Sequence, residues 1–572
     1  MSTDQQQCRS PVNALRDPSE LMQPERLGSL KQTRLSFARL LVDKMVREEW
    51  QIEASELSFD EAGNGRAVYR IETPSRQFSF VVFSKDTGEG ENSARIIAEN
   101  WDIRAFLCEG EATEDLIEQQ HAELPKVMRG RATPEVLIWT RANRSSRFFD
   151  HIIESLAAGH QPDIDLLATG GYLMRSSGYY GNGLNGTKVF KALDGDHPLS
   201  GPYMAQMLTV YMLRVFGYDL AEQMAQARNA DAATLDADIK RYLGTGNSSG
   251  IGIIQHVITH PQLMHAWLRA REVALARAKA TDPDDADVER FRAVLAKAQH
   301  WFTEDDSDTR HFFTDKERIA DELDQVGARL DDLERDADDS TLWERLCDWA
   351  GDALEMETQE VCHSLLIDVY PEVCRGLESS LTVSEKTDIE PGMSLSTLET
   401  LLSENYQWAL DIDMSRPDAQ HYFWYRSIEN EEPRLGVRGE DDYDEYELQV
   451  DIARQVQRLA ADLSDADGAE TVAEFLFEHP GHRYIVERIQ TIHGLSYAEV
   501  RDNPLDADVV PLHYISCLKA IWGIQKAHPK SKGWVRGTFF QGAPLREEVA
   551  NGEDAYWVYP PKPDRGKHWG DA

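Results

Sequence analysis

The chain has 572 residues and a formal net charge of −40, from 100 acidic against 60 basic side chains. A surface that negative repels nucleic-acid phosphate and anionic lipid, so neither nucleic acid nor a membrane surface is expected as a partner. Six cysteines without a CxxC pair, and no apolar run near the roughly 20 residues of a membrane span, point to a reduced, soluble, cytoplasmic protein.

A length of this order exceeds what one hydrophobic core serves, so two or three domains are expected. Hydrophobic residues make up 41%, with 13 Trp, 19 Tyr and 19 Phe to fill the interior, which excludes global disorder. The acidity itself reads as hydration of a protein held in salt rather than as affinity for a cationic partner.

Taken in chain order, residues 1–28 lack periodicity and predict a mobile segment. Leu30 to Trp50 carries Leu35, Leu40, Leu41, Met45 and Val46 at helical spacing. The period then changes to two. Arg66 to Glu72 and Gln77 to Lys85 predict strands joined by Thr73-Pro-Ser-Arg76, with Ile103 to Cys108 as a third. An α+β domain over 29–145 follows.

Helical patterns dominate from 146 onward, at Phe148 to Ala158, Pro202 to Arg228, Pro261 to Ala280 and Val288 to Trp301. Asp315 to Asp336, charged on most faces, predicts a surface helix, and Thr341 to Glu378 a long one. Leu448 to Leu463 is helical again, and the segment from 534 is aromatic and irregular, folding back through Tyr556, Trp557 and Tyr559. The fold expected is therefore mainly α, a multi-helix body with a small N-terminal α+β domain. Its divisions are a helical domain over 146–385, a helical C-terminal domain over 386–533 and a tail over 534–572.

Several short motifs invite a chemical reading. Gly63-Asn-Gly65 followed by Lys85 imitates the glycine turn and strand-borne Lys that hold nucleotide phosphates, but the third glycine and the later metal-binding motifs of a kinase are missing. Glu118-x-x-His121 and Glu360-x-x-His363 have the spacing of helix-borne metal ligands. With 17 His and 100 acids in 572 positions, about three Asp/Glu-x-x-His matches arise by chance, roughly half of them with Glu, so both read as background. His256, His260 and His265 resemble a zinc cluster, yet Pro261 interrupts the helix that would align them. Cys362 and His363, adjacent on a helix, point about 100° apart and read as core. No metal site and no cofactor is assigned.

Two glycine- and amide-rich loops stand out more. One runs from Ser176 to Lys188 and the other from Gly244 to Gly252. In so charged a chain, segments of Gly, Asn and Ser offer bare backbone N–H groups and small neutral hydrogen-bonders, as an anion site requires. The segment His421 to Arg434 interleaves aromatics, Arg and carboxylates. The function expected from this inventory is an enzyme working on a small, anionic metabolite by acid–base chemistry, an elimination or a hydrolysis. Arg175, Asn182, Asn185, Lys188, Asn247, Ser248, Ser249, Arg426 and Arg434 would bind substrate. Tyr425, Glu431, Glu432 and His256 would move protons. The rival expectations are a non-enzymatic binding or scaffold protein forming a homo-oligomer, and a phosphotransferase built on the 63–85 hairpin.

Overall fold

The computed structural model describes residues 15–85, 102–127, 135–145, 147–176, 193, 195–201, 203–247, 261–304, 315–335, 340–381, 389–415, 425–426, 433–434, 446–447, 452–498, 512–531, 534–553 and 556–564. Its central feature is a nine-stranded mixed sheet in the order β1-β2-β3-β4-β5-β6-β7-β12-β11. The strands are β1 (Gln51–Phe59), β2 (Gly65–Glu72), β3 (Gln77–Ser84), β4 (Ile103–Glu109), β5 (Val136–Arg144), β6 (Tyr172–Ser176), β7 (Gly244–Asn247), β11 (Ile524–Ser531) and β12 (Trp534–Phe539). A small three-stranded sheet, β10-β8-β9, holds Tyr446–Glu447, Tyr425–Arg426 and Pro433–Arg434.

This corrects the expected fold class. The chain is rich in helix, but the sheet is neither small nor confined to the N-terminal region, since it draws strands from residue 51 to residue 539. The physical reason lies in β6, β7 and β12. Gly244-Thr-Gly-Asn247 has no strand propensity, and its glycines serve close approach instead. A Cβ at Gly244 would lie 2.1 Å from the Phe539 carbonyl oxygen, and one at Gly246 would lie 2.9 Å from the Tyr172 ring. Half of the second glycine-rich loop is thus a strand wedged between two backbones. Likewise the segment after 534, expected to be irregular, begins with β12, paired to β7 and β11.

β1 to β5 form an antiparallel meander, whereas β6 and β7 run parallel. β3 reads as a continuous apolar run because it is covered on both faces. On one face Phe78, Phe80 and Val82 join the main core; on the other Val81 and Phe83 pack with Phe106, Trp139 and Ile117 of the helix Glu114–Val127.

The helix Met204–Arg228 is buried over most of its circumference and packs against Phe149–Ala157, Phe37–Arg47 and the β5 to β7 strands. Arg214 in its middle fastens three chain segments. Its guanidinium donates to the carbonyls of Lys240, Arg241, Leu243, Ala543 and Pro544 and to the Tyr218 hydroxyl, all between 2.6 and 3.1 Å. Buried carbonyl dipoles replace the counter-ion that a buried cation otherwise requires.

Of the segment 1–28 expected to be mobile, the described part from residue 15 instead enters the short helices Pro18–Leu21 and Pro24–Ser29, burying Leu21, Met22 and Leu27. The helix within Leu30 to Trp50 is limited to Phe37–Arg47. The long run after Thr341 divides into Leu342–Ala353 and Met356–Val369, broken where Leu354 turns extended and ended before Pro371. Lys316–Leu333, expected on the surface, buries Ile319, Leu323, Val326 and Leu330 and packs against Asp285–Glu304. A further group is formed by Leu395–Leu410, Ile452–Ser464, Val472–Glu478 and Arg483–Ile492. Trp557 stacks on Phe540 and Tyr559 packs at a tilt against Trp301 and Phe302, so the aromatic end folds back on the body. Among the described residues no helix is long and apolar enough to cross a membrane.

Candidate functional site

The two glycine-rich segments singled out in the sequence each contribute to a strand of the sheet. β6 and β7 are parallel neighbours with Ser176 opposite Asn247, so the two strands end side by side. That end of a parallel pair is where open α/β sheets place ligands. Asn247 and Ser176 are both fully buried, and the Asn247 amide donates to the Ser176 hydroxyl at 3.4 Å. Arg175, in register with Gly246 and Asn143, projects to the opposite face of the sheet. The fold therefore brings Arg175 and Asn247 onto adjacent strands but not onto one surface. Asn182, Asn185, Lys188, Ser248, Ser249, His256, Glu431 and Glu432 lie outside the described residues. Tyr425, Arg426 and Arg434 fall in the three-stranded sheet, where Tyr425 is in register with Arg434.

On the Arg175 face, strand register assembles a feature that no single motif announces. Arg66 of β2 pairs with Phe83 of β3, Phe83 with Arg104 of β4, and Arg104 with Arg141 of β5. Paired residues of antiparallel strands share a face, so Arg66, Arg104 and Arg141 form a transverse row, with Arg175 beside it. At one end of the row is a groove of roughly 620 Å³ between β1 to β4 and the helix Glu114–Val127. Arg66, Arg104, Lys85, Asp102, Glu118 and His121 line it, together with Glu114 and the backbone at Gly65.

The charges in the groove differ in how they are engaged. Arg66 donates to Glu56 at 2.7 Å and to both oxygens of Glu114 at 2.5 and 2.9 Å, and these hydrogen bonds hold the Glu114 carboxyl below its ordinary pKa. Asp102 accepts the Arg144 backbone N–H at 3.1 Å, and its own N–H donates to the Asn143 side chain. Lys85 is exposed just past the end of β3, its backbone N–H bonded to the Asp102 carbonyl. His121 lies against Phe83 with ring centroids 4.9 Å apart, one helical turn from Glu118.

The glycine turn beside this groove is used up internally. The Asp60 carboxylate accepts the backbone N–H groups of Ala62 and Asn64, and the Asn64 side-chain amide donates to both of its oxygens, while the Gly63 N–H donates to the Asp60 carbonyl. Those bonds hold the Asp60 carboxyl below its ordinary pKa. Gly65 has φ +151°, and a Cβ there would meet the Ser58 carbonyl oxygen at 1.9 Å, so the hairpin itself demands glycine. A turn whose amides are spent on its own Asp offers no cradle for phosphate.

Glu360-x-x-His363 is at the centre of a different cluster. Glu360 is fully buried and accepts from Arg16 at 2.5 Å, Arg271 at 2.7 Å and Arg26 at 3.3 Å. Arg16 forks onto Glu272 at 2.6 and 2.7 Å, and Tyr497 donates to the Arg16 carbonyl. Burial opposes the charge on Glu360, but the guanidiniums of Arg16 and Arg271 overcome it and hold the carboxyl well below the usual range. Burial pushes His363, 3.6 Å from Glu360, down to about 4. The carboxylate is filled by three guanidiniums, which makes this a fastening rather than a metal site. The neighbouring Cys362 is buried in the same core and its thiol is pushed up by that burial, as are those of Cys108, Cys347, Cys374 and Cys517. Of the three histidines whose spacing resembles a zinc cluster, only His265 lies among the described residues; its Nδ1 accepts the Tyr497 backbone N–H.

Reading alternate strand positions across β2, β4, β5 and β6 would have grouped Arg66, Arg104, Arg141 and Arg175, but only with the pairing order in hand. Comparison of the chain with protein-family models, with curated proteins and with solved structures finds no match.

Proposed function

We propose that this chain is an enzyme acting on a small anionic metabolite by acid–base chemistry, and that the groove beside the helix Glu114–Val127 is where it does so. The observation that carries this reading is the arginine row. On a chain of net charge −40, the four neighbouring strands β2 to β5 place Arg66, Phe83, Arg104 and Arg141 in one line, with the exposed Lys85 at its edge. A carboxylate, sulfonate or phosphate would be met by Lys85 and Arg104, and His121 with Glu118 beside it supplies a proton carrier within the same groove. An elimination or a hydrolysis needs no more than these groups. The five described cysteines are free thiols, which supports a reducing compartment such as the cytoplasm.

A phosphotransferase would use the same Lys85, but its nucleotide phosphates would rest on side chains alone, because the Gly63 turn spends its amides on Asp60. A scaffold or homo-oligomer would leave the groove without a ligand. The deciding experiment is a thermal-shift screen of the full chain against carboxylate, sulfonate, phosphate and nucleotide libraries, repeated with Lys85→Ala and His121→Gln. Both residues are exposed, so both variants are expected to keep the wild-type melting temperature while losing the ligand-induced shift. If no anion shifts the wild type, or if the shift survives in both variants, this site assignment fails.

A further inference from the structure

The helix Val472–Glu478 ends at His479, and Pro480-Gly481 turns the chain so that His482 follows on the same side. Both imidazoles stack on the buried Phe475, His479 at 4.7 Å between centroids and 22° between planes, His482 at 5.9 Å and 15°. The His479 backbone N–H closes the helix onto the Phe475 carbonyl, and the His482 N–H donates to the His479 carbonyl. The neighbouring helix Ile452–Ser464 contributes Asp462, whose Oδ2 lies 2.6 Å from His482 Nε2 and 3.6 Å from His479 Nδ1. One nitrogen from each ring and one carboxylate oxygen lie within 4.8 Å of one another.

From this geometry we propose that Asp462, His479 and His482 form a binding site for one divalent ion of the zinc type, with water in the fourth position. Two imidazoles and a carboxylate are a ligand set suited to Zn²⁺, and three protein ligands with one open position is the arrangement of a reactive rather than a structural zinc. Metal bonds of about 2.0–2.1 Å set neighbouring ligand atoms roughly 3.3 Å apart in a tetrahedral site. The 3.6 Å separation already matches. The 2.6 Å contact is an N–H···O hydrogen bond that must open by roughly 0.7 Å as the metal takes its place. Asp462 has 45% of its side chain exposed and sits at the surface end of the pair, so it can rotate, whereas the two rings are held in plane by Phe475. The exposure of His479, 39%, leaves the open position facing solvent. The negative field of the whole chain raises the local concentration of any cation.

The site is separate from the groove of the proposed function, and its test does not depend on activity. The full chain, stripped with a chelator and dialysed, is titrated calorimetrically with Zn²⁺, and then with Co²⁺ to read the visible d–d bands. The expected result is about one tightly bound ion per chain with a four-coordinate cobalt spectrum. His479→Ala, His482→Ala and Asp462→Asn should each weaken binding at least about tenfold, while His493→Ala, exposed at the far end of the helix Arg483–Ile492, should leave it unchanged. Wild-type affinity in His479→Ala and His482→Ala overturns the proposal and leaves Asp462 and His482 as a surface ion pair. Should a variant fail to fold, X-ray absorption of the zinc-loaded wild type decides: two imidazoles in the first shell support the site, and fewer than two overturn it.

Discussion

Glu118-x-x-His121 and Glu360-x-x-His363 have the same spacing on two helices and opposite surroundings. The first lines an open groove with both side chains exposed to solvent. In the second, Glu360 is fully buried beneath Arg16, Arg26 and Arg271, and His363 is 7% exposed. What separates them is what surrounds them: burial turns a carboxylate into a structural anchor, because an unpaired charge there costs far more than one in water. A motif's spacing fixes which atoms share a helix face, and the environment decides whether they are free to do chemistry.

The largest expected effect breaks the buried half of this comparison. Glu360→Gln takes from Arg16 and Arg271 one of the two buried carboxylates they share, leaving Glu272 alone between them, and should cost roughly 3–5 kcal/mol, read as a lowered urea midpoint of the full chain. Glu118→Gln, at the exposed twin, should leave that midpoint where it is.

Acid should sharpen the contrast. His363 titrates at about 4 in the fold against 6.5 outside it, so as pH falls below 6.5 the unfolded chain takes up a proton that the folded chain refuses. Stability is therefore present above 6.5 and drains away toward pH 4. Glu360, held below its ordinary value, acts in the same direction, its contribution being lost as pH falls through the folded value. His363→Gln should flatten the melting-temperature profile between pH 6.5 and 4, by a difference on the order of 1–3 kcal/mol. An unchanged slope in the variant would remove His363 from the account.

Gly65→Ala strikes the wall of the open groove, where a Cβ would collide with the Ser58 carbonyl oxygen. A cost of about 1–3 kcal/mol is expected, with weakened anion binding, because the hairpin must shift at the groove. The smallest expected effect is that of Lys85→Ala, less than about 0.5 kcal/mol on stability with the ligand-induced shift abolished.

Helices carried by long apolar periodicity, such as Met204–Arg228 and Pro261–Lys279, were legible in the sequence, as were β2 to β4. β1 was not, because Gln51-Ile-Glu-Ala-Ser-Glu-Leu mixes charge and helix-forming residues on an edge strand with one solvated side. Nor was β7, since glycine reads as loop wherever its role is to let Phe539 and Tyr172 approach. The candidate site was legible only in pieces. Gly63, Lys85, Glu118 and His121 each stood out and each had an ordinary explanation alone; the pairing of β2 to β5 is what joins them to Arg104. Glu360 posed the same difficulty, for its partner Arg16 is 344 residues away along the chain.

The placement of β7 carries a consequence for how the molecule is made. Gly537 must come back to lie beside Asn247, 290 positions earlier in the chain. At roughly 5–20 residues per second, a nascent chain waits on the order of 15–60 s before the far edge of β7 acquires its neighbour. Throughout that interval it presents a short, glycine-rich edge, and the Arg214 guanidinium lacks the Ala543 and Pro544 carbonyls to which it later donates. Protease sensitivity of ribosome-stalled chains should fall sharply only once residues 534–544 have left the tunnel, so β12 closes a sheet that β1 began.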